Sequence, residues 1–167
     1  IDWSSSTYEE GNYVYLYGVE STKYNKFVYV SRLSRNAPFK NPQYWNGTSW
    51  IGDSAQAVRI HDGVSEQFSF FRHKGKYYLL SQAKLLDDDI YIWDAASPTG
   101  PFTRKRRVYK TPQDGGNILT YSATVHYEFT ENDKLLVGYC TNSLDVKDIF
   151  QNADNYRPYF ITVENWQ

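Results

Sequence analysis

Between Ser65 and Gln82 the chain reads SEQFSFFRHKGKYYLLSQ, with apolar residues at Phe68, Phe70 and Phe71, a polar break at His73-Lys74-Gly75-Lys76, and a second run Tyr77-Tyr78-Leu79-Leu80. The Lys-Gly pair supplies the positive φ that a short hairpin needs, and the flanking residues are strand formers, so this stretch predicts two antiparallel strands over Gln67–Arg72 and Lys76–Gln82. The same pattern of short apolar runs bounded by turn residues predicts strands at Ile1–Tyr8, Tyr13–Gly18, Lys26–Leu33 and Tyr44–Ile51, the last broken at Asn46-Gly47. It continues at Asp89–Ala95, Arg104–Lys110, Ser122–Phe129, Lys134–Thr141 and Tyr156–Val163. Within the polar excursion from Ser143 to Asn155, Leu144, Ile149 and Phe150 share a face and predict one short helix.

The pattern repeats. Tyr15-Leu16 and Tyr78-Leu79 lie 63 positions apart, as do Pro38-Phe39 and Pro101-Phe102, and Phe27–Val30 falls against Ile90–Trp93 at the same shift. Three blade-like units follow, 1-52, 53-112 and 113-167, each of three or four antiparallel strands. Sheets repeated at a fixed period predict an all-β chain of β-propeller type, and because propellers close with about four to eight blades, these three require others from the parent chain or another chain. A β-sandwich of the same strands is the alternative.

Composition narrows the function. Aromatics are 18% of the 167 residues, with sixteen Tyr, five Trp and no Met, so flat rings build the core and are available for sugar stacking. A net charge of −1 gives no field for nucleic acid or an anionic membrane surface, and no apolar window is long enough to span a bilayer. The start at Ile1 without Met reads as a processed or cut end. Cys140, alone in an apolar run, reads as a buried structural thiol. Phosphate loops, Gly-x-Ser-x-Gly elbows and Cys/His metal sets are missing from the sequence.

Several segments resemble the five-bladed propeller glycoside hydrolases of family 43 and related secreted propeller proteins of unknown function. Glu66 ahead of the hairpin Lys74-Gly75-Lys76-Tyr77-Tyr78-Leu79-Leu80 is similar to the family's acid-bearing segment. Ala96-Ser97-Pro98-Thr99-Gly100-Pro101-Phe102 is similar to a segment at the outer edge of its blades, and Ile1-Asp2 with Gly11–Leu16 is similar to another blade, although Trp3 replaces the family's Pro. The resemblance implies hydrolysis of a furanoside or pentoside polysaccharide or oligosaccharide, secretion or an extracellular location, and a general base on a preceding blade. It also implies Glu66 as general acid and Asp2 as the group that tunes its pKa.

Hydrolysis of a glycoside uses two carboxyl groups flanking the scissile bond, one of them protonated. Inner strands of a propeller converge, so Glu66 and Asp2 are expected to face one pocket, where mutual repulsion and burial raise the acid's pKa. His126, in an apparent inner strand, Trp93 and Arg157 are candidate sugar-binding residues; a core histidine, a packing ring and an ion pair are their structural alternatives. His61 and His73 are expected to have no role. No cofactor is implied, a structural or central Ca2+ aside, and Asp87-Asp88-Asp89 lacks the ligand spacing of a calcium loop. The run Arg104–Arg107 reads as charge guarding a sheet edge. A non-catalytic carbohydrate-binding or structural propeller is the alternative to an enzyme.

Overall fold

The structure, a computed structural model, describes residues 1–37, 40–82, 87–112 and 116–167. Pro38-Phe39, half of one repeat match, lies outside the described residues, as does part of the Thr111–Asn117 loop.

The strands form three antiparallel sheets. The first runs β1 (Asp2–Glu10), β2 (Tyr13–Ser21), β3 (Lys26–Ser34), β4 (Gln43–Trp45) and β5 (Trp50–Ile51), with β6 (His61–Asp62) also pairing with β3. The second is the meander β7 (Phe68–His73), β8 (Lys76–Gln82), β9 (Asp89–Ala95) and β10 (Thr103–Lys110). The third comprises β11 (Ile118–Val125), β12 (Leu135–Ser143) and β13 (Pro158–Val163), with helix α1 (Val146–Gln151) between the last two. The expected strands are present, with one shift of consequence: β11 ends at Val125, so His126 follows the strand instead of lying within it. The β7–β8 hairpin turns through Lys74 at φ 46° and Gly75 at φ 83°, the successive positive values that match strand twist.

The middle sheet is buried on both faces, which is why β8 reads KYYLLSQ without the alternation of a half-exposed strand. Tyr77 and Leu79 pack with Phe70, Trp93, Tyr15 and Tyr17 toward the first sheet, whereas Tyr78 and Leu80 pack with Phe71, Ile92, Val137 and Trp166 toward the third. A two-layer sandwich has no such central layer. Aromatic stacking anchors the first interface: Tyr17, with no exposed surface, lies over Phe70 at 4.1 Å, and its hydroxyl donates to the Pro98 carbonyl at 2.8 Å.

The leading strand of each sheet lies beside that of the next, and the two contacts are built alike. The Phe70 amide on β7 donates to Ser6 Oγ on β1 at 3.0 Å, and the Val125 amide on β11 donates to Ser69 Oγ on β7 at 2.9 Å. Each hydroxyl satisfies an edge-strand amide that has no neighbour in its own sheet. Ser6 and Ser69 are themselves 63 positions apart, the spacing of the repeat.

The basic run on β10 does more than guard an edge. Arg104 Nε and Arg106 Nη1 both reach the buried Asp94 at 2.8 Å, Lys105 lies over the Tyr91 ring, and Arg107 pairs with Asp89. Burial would raise the Asp94 carboxyl, but the two guanidinium groups outweigh it and hold the pKa below its ordinary value. Cys140, expected to be buried, is half-exposed because β12 turns it away from the core.

Replacing Ser69 with Ala leaves the Val125 amide without its acceptor, a loss of about 1–3 kcal/mol. Urea unfolding should show a lower midpoint with an unchanged slope; a midpoint equal to the parent's would remove the hydroxyl link from the account.

Candidate functional site

An open pocket of about 580 Å³ lies where β1, the segment entering β7, and β11 come together. Asp2, Ser4, Lys26, Glu66, Gln82, Tyr121, Ser122 and Asn142 are among its lining residues. It therefore unites Asp2, at the start of β1, with Glu66, from the segment before β7, as the convergence of inner strands predicts. The remaining lining is mostly hydroxyl and amide groups.

Asp2 is placed at the start of β1, opposite Val19, and Gly18 makes this approach close: a Cβ there would sit 2.7 Å from the Asp2 carbonyl oxygen. The Asp2 carboxylate accepts from the Ser4 amide at 3.1 Å and the Ser4 hydroxyl at 2.6 Å, which fixes the acid against its own strand. Glu66 projects from the segment before β7. Its carboxylate accepts from Lys26 Nζ at 2.9 Å and from Ser21 Oγ at 3.2 Å.

This pairing reverses the expected titration of Glu66. The Lys26 hydrogen bond and charge, with help from Ser21, hold its carboxyl below the ordinary glutamate value, and the opposing effects of burial and of Asp2 are smaller. At 66% exposure, the Glu66 side chain is too well solvated for desolvation to dominate. Lys26, which sequence reasoning did not single out, is the residue that sets the charge of the site. Its only signal was its place at the start of β3.

The other expected site residues lie elsewhere. Trp93 is 4% exposed and packs in the core, edge-on to His61 at 4.9 Å, because its face of β9 points at the first sheet. His126 packs beside Phe160 at 5.6 Å and over Gly138, away from the pocket. Arg157 pairs with Asp154 at 3.2 Å and lies over the Tyr159 ring. Among the described residues no group of three or more His, Cys, Asp or Glu could hold a metal ion.

Two histidines expected to be idle are instead built into the structure. His73 bridges Tyr127 Oη at 3.1 Å and Asp133 Oδ1 at 2.9 Å, tying the β7–β8 turn to the third sheet. His61 is enclosed by Trp93 and Phe102, its Nε2 has no hydrogen-bond partner among the described residues, and burial pushes its pKa down to about 4.

Residues 1–166 match the family described as Domain of unknown function (DUF5005). Among solved structures, a protein described as a "putative hydrolase" from Bacteroides ovatus ATCC 8483 superposes with a TM-score of 0.77 at 22% identity, covering 96% of this chain and 44% of that one. A family 43 arabinoxylan arabinofuranohydrolase from Bacillus subtilis, solved with cellotetraose, superposes with a TM-score of 0.58 at 20% identity, covering 95% of this chain and 35% of that one. The chain thus spans less than half the length of either. These likenesses establish an all-β, propeller-type fold of which this chain is part. No curated protein matches.

Two measurements check the electrostatics. Lys26→Met should raise the Glu66 pKa in a carboxyl NMR titration; an unchanged value would mean that Lys26 does not control it. His61 has a folded pKa below its unfolded value, so its neutral form stabilises the fold above pH about 6.5, and that contribution is lost as the pH falls toward about 4. His61→Phe should flatten the stability profile across that window, and a profile as steep as the parent's would assign the acid sensitivity elsewhere.

Proposed function

The chain belongs to the DUF5005 family, and from that premise we propose that it supplies one wall of a carbohydrate-binding funnel in a five-bladed propeller of glycoside hydrolase type. The observation that carries this reading is the convergence of Asp2, on β1, and Glu66, from the segment before β7, on one open pocket whose remaining lining residues are mostly hydroxyl- and amide-bearing, with Lys26 beside Glu66. Carboxylates are strong acceptors for sugar hydroxyls, while Ser122 and Asn142 offer further polar contacts and Tyr121 an aromatic edge. The fold shared with a family 43 enzyme solved with cellotetraose favours an oligosaccharide or polysaccharide as the ligand class. Furanoside or pentoside chains are the proposed substrates, and secretion is the location such substrates demand.

Hydrolysis is the second reading, favoured by the same carboxylate pair. In the free pocket Glu66 is ionised by Lys26 and so acts as an acceptor, not as an acid. Protonation of Glu66 then requires the arriving sugar to take the place of Lys26 and Ser21 and to bury the carboxyl, both of which raise its pKa. The base that activates water would come from a blade outside these residues. Trp93, His126 and Arg157 take no part in this mechanism.

The test uses the full-length polypeptide carrying this chain, titrated calorimetrically with arabinan and xylan oligosaccharides and assayed for their cleavage. Glu66→Gln and Asp2→Asn should each weaken binding about 10–100-fold, the loss of one charge-assisted hydrogen bond. If the parent cleaves, Glu66→Gln should abolish cleavage. Binding by the parent without cleavage selects the binding reading, and binding unchanged in both variants removes the pocket from the proposal.

A further inference from the structure

Tyr24, at the tip of the turn between β2 and β3, is 77% exposed, the most of any of the sixteen tyrosines. That exposure does not come from a loose loop. Thr22 and Asn25 close the turn through three hydrogen bonds: the Thr22 amide and hydroxyl donate to the Asn25 carbonyl at 2.9 and 2.7 Å, and the Asn25 amide donates back to Thr22 Oγ1 at 3.1 Å. Asn25 Nδ2 then donates to Asp62 Oδ2 on β6 at 2.9 Å, which pins the turn to its own sheet.

The same turn stands at the rim of the pocket. Ser21 and Lys26, which flank it and face each other across the ladder, are the two donors that hold the Glu66 carboxylate. Lys26 is itself a lining residue, and Tyr24 precedes it by two positions, a separation of at most about 7 Å along the chain. A sugar seated in the pocket therefore has a flat, solvent-facing ring within reach of its neighbour. Lys23 adds a donor beside that ring, its ammonium lying 5.3 Å from the ring centre. A phenol suits such a place, since its face is apolar and its edge is polar.

We propose that Tyr24 is the stacking platform for a second sugar, so that the ligand of this site is an oligosaccharide that leaves the pocket across the β2–β3 turn. One unit meets Asp2 and Glu66, and the next lays its C–H face on the Tyr24 ring while its hydroxyls reach Lys23 Nζ. Because the turn is already fixed by its own hydrogen bonds and by Asp62, the platform is in place before the ligand arrives and costs little ordering on binding. The inference rests on the sugar-binding reading of the pocket and deepens it: it makes affinity depend on chain length, and it assigns that dependence to one side chain.

The experiment titrates the full-length polypeptide carrying this chain with xylo- and arabino-oligosaccharides of increasing length, from the single sugar upward. The parent should gain affinity between one unit and two. Tyr24→Ala should lose about 3–10-fold in affinity for the longer ligands, the worth of one aromatic stack, and should no longer distinguish two units from one. Tyr24→Trp should restore the gain, and Tm should stay at the parent's value in both variants because the position is solvated. Affinities equal to the parent's at every length in Tyr24→Ala would overturn the proposal. So would an equal loss at every length, the single sugar included, which would mean that the turn shapes the pocket instead of extending it. Failure of the pocket reading looks different: Glu66→Gln then binds every length as the parent does, and the second subsite falls with the first.

Discussion

Everything in this fold depends on the second sheet being covered on both faces. The Tyr17–Phe70 stack at 4.1 Å fixes one side, and Phe71 with Tyr78 and Trp166 fixes the other. Burial of rings of this size supplies most of the driving force available to a chain with no methionine and few long aliphatic runs. Because the rings interlock at both interfaces, the leading strands are brought side by side, and their unpaired amides fall within reach of the serine hydroxyls on the neighbouring sheet.

The pocket is a consequence of that convergence. Side chains at the beginning of β1, before β7 and along β11 meet there without belonging to one motif, and the strand ends supply polar groups because no apolar layer covers them. Lys26 then decides the chemistry: a cation 2.9 Å from Glu66 makes the resting site an anionic acceptor surface and not a proton donor. In the proposed function, binding and hydrolysis differ by whether a ligand displaces Lys26 from Glu66.

The strands, the hairpin at Lys74-Gly75 and the recurrence at 63 positions were legible because they depend on local alternation and turn chemistry. The meeting of Asp2 with Glu66 was legible because the inner strands of successive propeller units converge. What the sequence hid is non-local. Trp93 and Tyr91 alternate as they would on an exposed aromatic face, and only the covering first sheet makes Trp93 core. His126 stood at the end of a strand whose boundary moved by a few residues. The arginines of β10 looked like solvated charge because their partner, Asp94, lies on the adjacent strand. The Lys26–Glu66 pair joins residues 40 positions apart, one opening β3 and one in the segment before β7, and leaves no local trace.

The most direct measurement is a crystal structure of the full-length polypeptide soaked with an arabino- or xylo-oligosaccharide. Sugar density in the pocket, with a hydroxyl against the Glu66 or Asp2 carboxylate, is the result this account predicts. Density seated elsewhere, with Lys26 and Glu66 still paired and the pocket holding only solvent, would contradict it.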